Sequence, residues 1–408
     1  MTTAGQVTDR YLLDDDLVAD PFPYFAHLRD TAPVHWSPVQ RSWLVTGYES
    51  VASCFTEPAV SADRITPVLA RTPRHLLGPE AARAFEIMAG WMVFVDPPEH
   101  RRLRSAFRGA FGPRQVRRNR PMVQQAVARL AARVRDGGRC SDLVADLARP
   151  LPATVAAAWM GVPAADTARF QRWALQVGDL ALGAAQSAQE HEDSQRALLD
   201  LFAYLRDLVR LRRSAPQEDL ISAALAGGVV DDTVSEDEFV AMLTHIAFAG
   251  GETTSNLIAV GTWHLLRHPD QLGILRREPE SAPTAVEELL RYDGPSKMSV
   301  RQVRDDFTLE GRTLRRGDRL YLVTAAANRD PSRFERPDEL DLRRQPNPHL
   351  AFGQGAHFCL GAPLARLVAG AALTDLLAAA PRLALAAGEP QWQPSLLNRS
   401  LRTLPVRL

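Results

Sequence analysis

The stretch SEDEFVAMLTHIAFAGGETTSNLIAVGTWHLLRHP, residues 235–269, constrains the fold more than any other part of the chain. Ser235 followed by Glu238 forms a capping box, which satisfies two N–H groups that a helix start leaves open. No proline interrupts the run before Pro269, which stops it. A helix reaching His268 is roughly 50 Å long at 1.5 Å per residue, enough to cross a whole domain. Phe239, Leu243, Ile246 and Gly250 share one face, and a helix this long and apolar is expected to be central and buried. Its middle reads AGGETT, residues 249–254. Each glycine inside a helix costs up to about 1 kcal/mol relative to alanine. A buried glutamate and adjacent threonines cost more unless hydrogen-bonded. Local rules broken together at one point mark a functional site.

The rest of the chain builds around that helix. APVHWSPVQRSWLVTGYESVASCF reads as two short strands and a helix, and the stretch from about Asp96 to Arg291 is mostly helical in period. Leu198, Leu201, Leu205 and Leu208 align on one face of an amphipathic helix over 191–213. Residues 298–325 turn to strand character, with FTLEGRTLRRGDRLYLVTA as a hairpin and a following strand. The expected class is mainly α with a smaller β portion, and no repeat or linker divides residues 1–408, so one domain is expected. Zero net charge gives no global field for nucleic acid or an anionic membrane. The N-terminus lacks a signal-peptide pattern, and no apolar run of about 20 residues predicts a membrane span. Three widely spaced cysteines, Cys54, Cys140 and Cys359, fit a reducing cytoplasm better than a disulfide framework.

Cys359 stands apart. In HLAFGQGAHFCLGAPLAR, Gly353 and Gly355 permit backbone angles closed to other residues and a close approach to a flat ligand. Pro363 suits a first helical turn, so Cys359 sits at or just before a helix start. The unpaired N–H groups there favour a thiolate. Cys54 and Cys140 read as buried structural cysteines. A thiolate can be a nucleophile or a metal ligand. His357, two residues away, is badly placed as a base, and no further Cys or His clusters nearby for zinc. An axial thiolate on haem iron needs no second protein ligand.

Phe352-Gly353-Gln354-Gly355-Ala356-His357-Phe358-Cys359-Leu360-Gly361 matches F-G-x-G-x-[HR]-x-C-x-G at every fixed position. The chain resembles a soluble bacterial cytochrome P450. AGGETT is similar to that family's oxygen-activating helix, EELLR to its E-x-x-R pair, DPPEHRRLR to its haem-flanking helix, and AANRDPSRFERPDELDL to its meander. These segments occur in the family's order.

The resemblance implies a cytochrome P450 fold over a buried haem b, with dioxygen as co-substrate. It makes Cys359 the metal ligand, within a cofactor pocket that includes Gly250, Phe352, Gly353 and Gly361. His100, Arg104, Arg301 and His357 become partners of the haem propionates. Glu252 and Thr253 become the catalytic acid–alcohol pair that delivers protons. Glu288 and Arg291 become a structural pair that ties the meander to the core. PDEL, with Glu339, stands where many relatives have PDRF, so Arg333 or Arg336 is the expected third partner.

The implied activity is monooxygenation of a small molecule, in secondary metabolism, by a monomer. Oxidative coupling, peroxide-driven chemistry and a non-catalytic haem sensor are the alternatives. The chain has no dinucleotide fingerprint or flavin segment, so a ferredoxin and its reductase are the expected electron donors. Arg101, Arg102 and Arg108 are candidates for steering that partner. Lys297 and Met298 are candidates for the substrate pocket, with the lysine snorkelling to solvent. Residues 165–190, with Trp173 and Leu175, are expected as a lid.

Overall fold

The computed structural model describes residues 9–72, 78–136, 140–182, 187–228, 230, 233–386 and 388–408. The central helix spans Glu236–Arg267. Both halves of the capping box form: Ser235 Oγ accepts from the Glu238 N–H, and Glu238 Oε2 accepts from the Ser235 N–H at 2.9 Å. His268 caps the other end, and Pro269 opens the next helix. The two ends of the helix are buried, over 239–244 and 254–265. The middle departs from the expected burial. Gly250 is exposed, and Gly251, Glu252 and Thr253 are half-buried. A Cβ on either glycine would meet nothing within 4 Å. The helix nevertheless runs on unbroken, so the glycines bare one side of a continuous rod.

The helices Pro150–Trp159, Thr167–Leu182, Ala188–Ser214 and Ala362–Ala379 pack most extensively on this rod. Ala188–Ser214 buries Leu198, Leu201, Leu205 and Leu208 as its period predicts. Ala362–Ala379 is long and apolar enough by composition to cross a bilayer. Here its Val368, Ala372, Leu373 and Leu376 are buried in the core instead, against the helices Arg120–Asp136 and Ala282–Asp293. Of the expected lid, Thr167–Leu182 is a helix and 183–186 lie outside the described residues. Trp173 packs on Tyr204, while Leu175 points to solvent, 48% exposed.

The β portion is a five-stranded sheet beside the helices. Its strands are β1 (Val34–Ser37), β2 (Ser42–Val45), β3 (Val60–Ser61), β4 (Ser299–Val303) and β7 (Arg319–Leu322), in the order β1-β2-β7-β4-β3. Only β2 and β7 run parallel. The expected hairpin forms as β5 (Phe307–Leu309) and β6 (Arg312–Leu314). The helix Tyr48–Cys54 follows β2 and buries Cys54, whose thiol burial pushes up to about 12. Cys140, expected to be buried, is exposed at the start of the short strand Cys140–Asp142, which lies at the edge of a three-stranded sheet.

Glu288 and Arg291, three residues apart on Ala282–Asp293, are almost fully buried, at 0% and 1% exposure. They form a bidentate pair with both N–O distances at 2.8 Å. Arg291 also donates to the carbonyls of Asn328, Pro337 and Glu339. The third partner is neither Arg333 nor Arg336. It is Arg344, whose Nε reaches the Glu288 carboxylate at 3.1 Å. Arg336 instead pairs with Glu339 at the surface, and Arg333 lies over the Tyr48 ring. Asp341 N–H and Asn347 Nδ2 complete the carboxylate's partners. Glu287, next in sequence, grips Arg366 of Ala362–Ala379 at 2.6 and 2.7 Å and bonds His349. Burial works against the Glu287 charge, but Arg366 and His349 hold the carboxyl down at about 2.

Removing one member of a buried pair strands the other charge. Arg291→Leu should therefore lower unfolding free energy by about 3–5 kcal/mol in a urea titration. A loss below about 1 kcal/mol, the scale of a surface pair, would contradict that role.

Candidate active site

The cysteine loop holds its own shape. Cys359 N–H donates to Phe352 O at 2.9 Å, Phe358 N–H to Gly355 O at 3.1 Å, and Gly353 N–H to Leu350 O at 2.9 Å. Gly353 and Gly355 have φ of 68° and 70°, in the left-handed region. A Cβ on Gly355 would lie 2.9 Å from Thr56 Cγ2 and 3.2 Å from Phe55 O. A Cβ on Gly353 would touch the Phe55 ring at 3.5 Å. These glycines thus let the loop turn and seat on residues 55–56. Phe352 lies half-buried under the Arg366 guanidinium, 4.6 Å from its ring centre.

Helix Ala362–Ala379 begins three residues after the cysteine, with Pro363 in its first turn. Burial pushes the Cys359 thiol up, against the opposing pull of the Gly361 N–H, Arg104 and the Ala362 N–H. The thiolate-favouring groups expected at a helix start are present, but desolvation outweighs them. A bound metal reverses that balance, since a coordinated thiol is deprotonated. Gly361 has a second effect: a Cβ there would stand 4.0 Å from Sγ.

A group of unbalanced cations and histidines lies beside the loop. His100 and Arg104 sit one turn apart on the helix Glu99–Ser105, and His100 is 1% exposed. The rings of His100 and His357 are 4.1 Å apart. His100 Nδ1 and His357 Nε2 are buried without a hydrogen-bond partner. Arg301, on β4, bonds only the Val300 carbonyl among the described residues and lies over Phe55. Among the described residues no carboxylate pairs with Arg64, Arg104 or Arg301. Asp96 acts on Arg301 at longer range, but its oxygens accept from Ser61 Oγ and the Ala62 N–H. Burial lowers all five groups: Arg104 below its usual range, Arg64 and Arg301 to about 10, His100 to about 4 and His357 to about 3. Protein interiors rarely leave several cations and orphan donors without anions. The arrangement fits a ligand with two carboxylates, as haem has. Arg64 had no motif in the sequence to signal it; only its place beside Arg301 reveals it.

On the central helix, Thr253 Oγ1 donates to Ala249 O at 2.9 Å. Glu252 Oε1 accepts from Asn398 Nδ2 at 3.0 Å. His245 lies eight residues before Thr253, on the same face of the helix. Its ring stacks on Trp91 at 5.4 Å and its Nδ1 has no partner. Burial pulls it down to about 4, so it is a neutral imidazole. Neither His245 nor Asn398 carries a sequence signal, because each is defined by what folds against it.

The two pocket candidates from the 294–301 loop are placed otherwise. Met298 is core, 3% exposed among Leu12, Tyr24, Phe25 and Tyr321. Lys297 does not snorkel to solvent. It is 4% exposed, and its Nζ donates to Ser395 O at 2.5 Å. Burial and Arg399 draw it down to about 8. The C-terminal segment covers both residues, a contact across about 100 residues of sequence that local pattern cannot show.

Residues 85–379 match the family model described as Cytochrome P450. The chain is 36% identical to the 6-deoxyerythronolide B hydroxylase of Saccharopolyspora erythraea, over 97% of this chain and 98% of that one. It is 38% identical to the cytochrome P450 monooxygenase PikC of Streptomyces venezuelae, over 100% and 95%. It superposes on P450BioI, solved in complex with an acyl carrier protein bearing hexadec-9Z-enoic acid, with a TM-score of 0.87 at 34% identity, covering 97% of this chain and 100% of that one. A half-buried thiol just before a helix start, unbalanced cations beside it and a bared central helix are thus carried by a chain that belongs to the cytochrome P450 family, the haem-dependent oxidoreductases that incorporate oxygen from dioxygen.

Proposed function

We propose that this chain is a reductant-driven monooxygenase acting on a small organic molecule of bacterial secondary metabolism. The carrying observation is the intact acid–alcohol pair, Glu252 and Thr253, in the bared middle of a helix that is buried on either side, over 239–244 and 254–265. A peroxide-driven enzyme can dispense with such a pair, because its oxidant brings both protons and needs none delivered from solvent. In the proposed reaction a substrate C–H bond, dioxygen, two electrons and two protons become C–OH and water. Bound haem supplies dioxygen binding and the path for electrons.

The chain's own residues have distinct tasks. Cys359 would ligate the haem iron, with the Gly361 and Ala362 N–H groups moderating the charge of its sulfur. Arg64, His100, Arg104, Arg301 and His357 would hold the two haem carboxylates. The Thr253 hydroxyl proton is committed to Ala249 O, which leaves its oxygen as an acceptor that can hold a water. Glu252 accepts protons from solvent and passes them on. The names of the relatives, a macrolide-type hydroxylase and a polyketide-biosynthesis P450 among them, support a secondary-metabolite substrate.

Electrons are proposed to come from a ferredoxin and its reductase. Of the three arginines considered for steering, Arg102 is engaged by Glu99 and Glu238. Arg101 and Arg108 are exposed and remain for that role.

Cys359→Ala should abolish the red-shifted Soret band of the reduced carbon-monoxide complex; its survival would refute the axial assignment. Thr253→Ala should cut product formed per electron about tenfold or more, since positioned proton transfer contributes at least that scale. Product yield equal to wild type in a reductant-driven assay would favour the peroxide reading. Reversing Arg101 and Arg108 to Glu should slow ferredoxin-supported reduction at low salt, and the difference should fade as salt screens it.

A further inference from the structure

The acid on the central helix is held from outside its own helix. Asn398, 4% exposed, donates Nδ2–H to Glu252 Oε1 at 3.0 Å. The segment that presents Asn398 is fixed on both sides. Lys297 N–H donates to Leu397 O and Arg399 N–H to Pro295 O, each at 2.8 Å. Ser296 and Asn398 form the bridge between these bonds. Asn398 N–H donates to Ser395 Oγ at 3.1 Å.

A second rung lies two residues on. Ser400 Oγ donates to Asn256 Oδ1 at 2.9 Å. Positions 252 and 256 are one turn apart on the helix, about 6 Å along its axis. Alternate residues of an extended chain point the same way about 6.6 Å apart. The two repeats match, so 398 and 400 address the helix together. Arg399, between them, turns away to Asp293 and the Val18 and Ala19 carbonyls.

We propose that Asn398 is a positioning residue for proton delivery. This rests on the reading of Glu252 as the proton-moving acid. An amide N–H can only donate. It therefore fixes Oε1 as an acceptor and leaves Oε2 as the oxygen that gains and loses the proton. It also removes most of the rotamer freedom of a half-buried glutamate beside open space. The other charged groups around the acid are accounted for. Asp179, on Thr167–Leu182, is raised by burial and by the Glu252 charge. Lys297 is engaged by Ser395, and Arg399 by Asp293.

The test uses the full-length haem-loaded protein with NADPH, a ferredoxin and its reductase, and dioxygen as the only oxidant. The readout is the share of consumed dioxygen released as hydrogen peroxide instead of water, measured from pH 5 to 9. Glu252→Gln should raise the peroxide share. Asn398→Ala should raise it in the same direction, and the double variant should match Glu252→Gln alone. Asn398→Asp keeps the side-chain shape and sets a second carboxylate against Glu252. It should move the pH at which the partition changes upward by about one unit or more, as like charges sharing a site do. If Glu252→Gln leaves the partition unchanged, the acid itself is misassigned. If Glu252→Gln alters it while both Asn398 variants keep the wild-type partition and pH profile, the inference is overturned and Asn398 merely anchors the C-terminal segment. Should Asn398→Ala fail to retain haem, Asn398→Asp carries the decision.

Discussion

A carboxylate with no solvent exposure organises this protein. Glu288 would cost several kcal/mol to bury if left unpaired. It is met by two guanidinium groups, a backbone N–H and an asparagine amide. The cost of burial is offset only if all these donors arrive together, and all but Arg291 come from a segment more than 50 residues away. The long, irregular connection from Asn328 to Leu350 is thereby pinned by its carbonyls to Arg291 and by Asp341 and Arg344 to Glu288. Asn328 then accepts from the Leu350 N–H at 2.7 Å, where the cysteine loop begins. Glu287 adds the grip on Arg366 and His349 on either side of the cysteine. The thiol's position is thus set by ionic contacts behind it, on one face of a single helix.

The site shows the opposite electrostatic state. Around Glu288 every charge is answered; around His357 several cations are not. Burial depresses Arg64, Arg104, Arg301, His100 and His357 together, and the same burial raises the Cys359 thiol. Both departures point to one missing complement: anions for the cations, and a cation for the sulfur. Haem provides both in one rigid molecule. The protein supplies the pocket in a state that a neutral apolar ligand would not relieve, which makes the selection for haem electrostatic as well as steric.

The bared middle of the central helix depends on its neighbours to orient its polar side chains. Thr253 is oriented by its own helix, through Ala249. Glu252 is oriented by the C-terminal segment, through Asn398. The same segment covers Lys297 and reaches Asn256. The proposed proton-delivery pair and the 294–301 loop therefore share one structural support.

The sequence by itself determined the central helix, its capping box, its proline stop, the amphipathic partner helix, the hairpin and the identity of Cys359, Glu252, Thr253, Glu288 and Arg291. Each is written in local chemistry: periodicity, caps, or residue types too costly to keep without a use. Only the tertiary structure decided that Arg344 completes the Glu288 network, that Met298 is core, that Lys297 is buried under Ser395, and that the loop glycines seat on Phe55 and Thr56. Arg64, His245 and Asn398 acquire meaning in the same way. Their roles come from partners tens to hundreds of residues away, and a side chain's burial and its hydrogen-bond partner are properties of the packed chain, which no local window of sequence contains.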